Sequence, residues 1–97
     1  MLPDKNIIAN IQQNNDYLMG IIDGKTRNWS VEPRYQKIIK YSDGIGAGVR
    51  KIKGKCTEDT IIFVLEIFDS KGKVLYILKE EAVSLSNFTE IILSVDN

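Results

Sequence analysis

The sequence predicts an α+β fold: an N-terminal helix, with a second short helix over 33–42, packed on a four-stranded antiparallel meander running from Ile45 to Val95. Three observations carry that reading. Apolar residues recur at helical spacing between Asp4 and Ile22, a strand apolar on both faces spans Asp59 to Phe68, and the apolar pattern resumes beyond Ser70-Lys71-Gly72. Turn signals near Asp23, Pro33, Asp43, Glu58, Lys71 and Ser86 recur at roughly 9–16 residues, which keeps an all-β sandwich or barrel as the alternative.

In the first segment Asp4 serves as N-cap, and Ile7, Ile8, Ile11, Leu18, Ile21 and Ile22 share a helical face that ends at Gly24. Asn10, Asn14, Asn15 and Gly20 are poor interior helix residues, so a strand over Tyr17 to Ile22 turning at Asp23-Gly24 competes. In the next segment Ser30 caps a helix whose face holds Tyr35, Ile38 and Ile39, although Tyr35, Lys37, Ile39 and Tyr41 also alternate as in a strand. Pro33 favours the helix, because it fits a first turn and sits badly inside a central strand.

From Ile45 to Cys56 a strand places Val49, Lys51, Lys53 and Lys55 on one side, a ladder of cations suited to a sheet edge. Ile61, Phe63, Leu65 and Ile67 then oppose Ile62, Val64 and Phe68, interrupted only by Glu66; a strand of that kind is central and covered on both sides. Val74 to Leu78 pairs back on it as a hairpin. A last strand is expected over Phe88 to Val95, entered through turn chemistry at Ser84 to Asn87.

Ninety-seven residues suit one domain, 1–97, with a single core. Short apolar runs, no signal-peptide pattern and a lone Cys56 point to a cytoplasmic protein with no membrane segment. The absence of histidine removes the common zinc sets and His-dependent nucleophiles, so no catalytic residue, metal or cofactor is assigned, and the chain is read as not an enzyme.

Charge gives the functional clue. Lys25 to Lys55 holds nine of the thirteen Lys and Arg against only Glu32 and Asp43, while the flanking segments are acidic and the whole chain sums to zero. A cationic segment with interleaved aromatics suits an anionic partner. Arg27, Trp29, Arg34, Tyr35, Arg50, Lys51 and Lys53 are therefore the expected ligand-binding residues, for a nucleotide, another anionic small molecule or single-stranded nucleic acid. Asp43-Gly44-Ile45-Gly46-Ala47-Gly48 lacks the spacing and following helix of known phosphate loops, and a glycine-rich strand entry, a bulge or close backbone packing is the better reading of its glycines. The competing function is a protein-interaction module, an inhibitor or assembly subunit, working through the acidic C-terminal half or a sheet edge. Homo-oligomerisation is expected in either case, because a doubly apolar strand needs more cover than one short helix supplies.

Overall fold

The computed structural model describes residues 6–13, 16–52 and 54–94. Among the described residues, seven strands form two antiparallel sheets, followed by one helix. Strands β1 (Ile7–Gln13), β2 (Asp16–Ile22) and β3 (Trp29–Tyr35) make the first sheet in that order. The second contains β4 (Lys37–Ser42), β5 (Ile45–Lys51), β6 (Thr60–Asp69) and β7 (Val74–Ser84), also in chain order, and the helix α1 (Leu85–Ser94) follows. The α+β expectation is overturned: no N-terminal helix packs on a meander.

The N-terminal residues form a hairpin because their apolar spacing is symmetric. Ile7 pairs with Ile22, Ile8 with Ile21 and Ile11 with Leu18, so the positions that would share a helical face also meet across two strands. A hairpin of these residues avoids placing asparagines in a helix interior. The expected helix over 33–42 is likewise absent, and its residues divide between β3 and β4. Pro33 is tolerated in β3 because that strand lies at the edge of its sheet, where a missing N–H costs no ladder bond.

The hairpin of β6 with β7 forms as the alternation implies, and β6 is flanked by β5 and β7. Asp69 closes its turn by accepting the backbone N–H groups of Lys71 and Lys73, each at 2.9 Å. Those bonds hold its carboxyl below the usual carboxylate range. The lysine-bearing strand is not an edge: β5 lies between β4 and β6, joined to β4 by a two-residue turn in which Asp43 (φ 55°) and Gly44 (φ 78°) are both left-handed.

The expected strand over 88–95 is also corrected, since Leu85–Ser94 is helical. Ser84 Oγ accepts the Asn87 backbone N–H at 3.2 Å, an N-cap contact that starts the helix. Phe88, Ile91 and Ile92 then fall at helical spacing onto the sheet, and the Phe88 ring lies 5.4 Å from that of Phe63.

Two apolar clusters result, one on each face of the second sheet. Ile21, Val31 and Tyr35 of the first sheet pack on Ile38 and Phe68 of the second, whereas Val49, Ile61, Phe63 and Phe88 pack beneath the helix. The glycines of β5 serve the first cluster. A Cβ on Gly46 would overlap the Phe68 ring, and one on Gly48 would lie 2.5 Å from that of Tyr35. Close packing against aromatic faces is thus the role of both.

Candidate functional site

The chemistry nearest the core begins with Glu66, the residue that interrupts the apolar alternation of β6. It is fully buried. Arg50 reaches it from β5 with two bonds, Nη2 to Oε1 at 2.9 Å and Nε to Oε2 at 3.2 Å, and the Tyr35 hydroxyl donates to Oε2 at 2.8 Å. The bonds to Glu66 raise the pKa of Arg50, and burial, reinforced by the Glu66 bond, raises that of Tyr35. Tyr35 also stacks on Phe68 at 4.7 Å between ring centroids.

Beside this network lies a cleft of about 440 Å³ whose lining includes Arg34, Arg50, Lys51, Gln13, Leu18 and Val74. An adjoining lobe of about 200 Å³ shares Arg34 and Lys51 and adds Asp16, Gln36 and Cys56. The Lys51 ammonium pairs with Asp16 at 3.1 Å. Arg34 Nη2 donates to the Gly72 carbonyl at 2.8 Å, its guanidinium carbon lies 5.6 Å from the centre of the Tyr35 ring, and its Nε is buried without a hydrogen-bond partner.

Of the seven residues nominated from sequence, the fold brings Arg34, Arg50 and Lys51 to one cleft. Tyr35 is fully buried behind them and presents no face for stacking. Arg27 sits in the exposed turn after β2, in the left-handed region at φ 65°, and does not line the cleft. Trp29 contributes to a separate shallow depression that it shares with Arg34, Glu32 and Lys71. Lys53 lies outside the described residues. Cys56 directs its Sγ toward the Ile52 and Ile62 carbonyls, at 3.5 and 3.6 Å, and packs against the cluster under the helix. Sequence reasoning missed Asp16, Gln13 and Gln36, which carry no motif, and Glu66, whose signal was its isolation in an apolar strand.

A second feature meets the cleft at Val74 and runs away from it along β7. Strand β7 is the outer strand of its sheet, and its residues Val74, Leu75, Tyr76, Ile77 and Leu78 are 37–70% exposed. Leu75 and Leu78 are extra residues in the pairing with β6, so two bulges interrupt the strand within its apolar stretch.

No protein-family model matches the chain, and neither a curated protein nor a solved structure matches it. Among the described residues, no group of three or more His, Cys, Asp or Glu is placed to hold a metal ion. None of the described helical residues form a helix long and apolar enough to cross a membrane.

Proposed function

We propose that this chain is a non-catalytic protein-interaction module whose working surface is β7, and that its partner there is a second copy of itself. The observation that carries the reading is the run of five consecutive exposed apolar residues, Val74 to Leu78, on an outer strand. Isolated surface hydrophobes are ordinary, but a contiguous strip on a sheet margin is a contact surface or an aggregation liability. The bulges at Leu75 and Leu78 discourage extension of the hydrogen-bonded ladder, so contact is made chiefly by side chains.

Charge favours self-recognition. Asp69, Lys71 and Lys73 leave one positive charge at one end of the strip, and Lys79, Glu80 and Glu81, with Lys79 paired to Glu81 at 3.3 Å, leave one negative charge at the other. Two copies approaching antiparallel about a two-fold axis set each basic end against the other's acidic end, while a parallel approach opposes like charges.

The anionic-ligand reading has less support as the principal function, because Arg50 is committed to Glu66, Tyr35 is buried, and Arg27 and Trp29 do not line the cleft. Sedimentation velocity from about 1 to 100 μM, a range bracketing a micromolar dissociation constant, tests the proposal. The wild type should associate reversibly, and a Tyr76→Lys, Leu78→Lys variant should remain monomeric with an unchanged circular dichroism spectrum. A wild-type monomer throughout, or a variant that associates equally well, refutes it.

A further inference from the structure

We infer that Arg34 anchors a site for a small oxyanion, a phosphate or a carboxylate, in the cleft between the two sheets. Arg34 carries an unmet hydrogen-bonding group beside the cleft. One of its terminal nitrogens is held by the Gly72 carbonyl, while its Nε is buried and unpartnered. An unpaired buried donor is costly, more so on a charged group, and water or an anion is the usual remedy.

The charge balance selects the anion. Arg34, Arg50 and Lys51 line the cleft against Asp16 and the buried Glu66, leaving one positive charge. Arg50 cannot leave Glu66, since that would strand a fully buried carboxylate. Lys51 is different: its pair with Asp16 is partly exposed, at 24% and 48%, and such pairs contribute little. Its ammonium can turn to a ligand at small cost, and the Gln13 and Gln36 amides on the walls offer further donors.

Size and lining limit the ligand to a small molecule. With Tyr35 buried and Trp29 in a separate depression, the cleft has no aromatic platform for a polynucleotide. The Arg fork matches a planar carboxylate or a phosphate face equally well.

The test follows the Arg34 Nε–Hε resonance of the ¹⁵N-labelled full chain during titration with inorganic phosphate and, separately, with succinate, each at constant ionic strength. A saturable shift in either arm supports the site, and the arm that saturates identifies the oxyanion. Arg34→Gln should weaken saturation, followed then by backbone amides of the cleft, by about tenfold or more, as expected for loss of a charge-assisted bond. Because Arg34→Gln also removes the bond to Gly72, Lys51→Ala is the second variant and should weaken binding at least about threefold with the fold intact. A shift that never saturates, or saturation unchanged in Lys51→Ala, overturns the inference.

Discussion

The Tyr35 hydroxyl donates to Glu66 Oε2 at 2.8 Å, joining a residue of the first sheet to the one fully buried carboxylate identified in the second. Arg50 completes the arrangement from β5. Glu66→Ala should cost about 2–4 kcal/mol in urea denaturation, because it removes the bonds from the part-exposed Arg50 and leaves the buried Tyr35 hydroxyl without an acceptor. Tyr35→Phe should cost only about 1–2 kcal/mol, since one hydrogen bond is lost and the ring remains. Joint replacement of Tyr35, Arg50 and Glu66 by Phe, Met and Leu should cost less than Glu66→Ala alone. A triple variant less stable than the single one would contradict the assignment of the loss to polar groups left without partners.

Tyr35 also sets an alkaline limit. Its pKa is raised in the folded protein, so its contribution is fully present below the ordinary tyrosine value of about 10 and is lost as pH climbs from there through the folded pKa. Absorbance titration should show a tyrosine that keeps its proton until the fold opens. In Tyr35→Phe that delayed step should vanish. Its persistence would reassign the protected tyrosine.

The two ring-seating glycines give a steric test. Gly46→Ala and Gly48→Ala each place a methyl group inside contact distance of a buried ring, Phe68 or Tyr35. Overpacking of this kind costs about 1–3 kcal/mol. Thermal melts should show both variants destabilised, with Gly48→Ala also disturbing the Tyr35–Glu66 bond. Wild-type melting of both would show that the rings shift freely.

Phe88 should hold the helix on its sheet. It is the buried residue of α1 and contacts Phe63. Phe88→Ala should destabilise the protein by about 3 kcal/mol and increase amide exchange over Leu85–Ser94. If exchange increases while global stability stays unchanged, the helix is an independent appendage.

The Asp59–Phe68 alternation and the Ser70-Lys71-Gly72 turn signal were sufficient by themselves to indicate the β6–β7 hairpin, because side-chain alternation and turn chemistry are local properties. The glycines of β5 were legible in part: their spacing fitted no phosphate loop, but only the fold separates close packing from a strand entry or a bulge. Glu66 was visible as an exception in an apolar strand, but its partners were not, since Arg50 and Tyr35 become neighbours only when three strands align.

Tertiary structure decided the rest. Ile7, Ile8, Ile11, Leu18, Ile21 and Ile22 satisfy a helical face and a hairpin equally, and only pairing with a neighbouring strand separates the two. Phe88, Ile91 and Ile92 fit a strand by composition, yet the Ser84 cap and the open face of the second sheet make them a helix. The charge partition was present in the sequence, but the pairing of Arg50 with Glu66 and of Lys51 with Asp16 was not. Sheet order likewise determined that Val74 to Leu78 lie on an outer strand with their side chains in solvent. Periodicity records which side chains seek burial; which surface is available to bury them depends on contacts between residues distant in the chain.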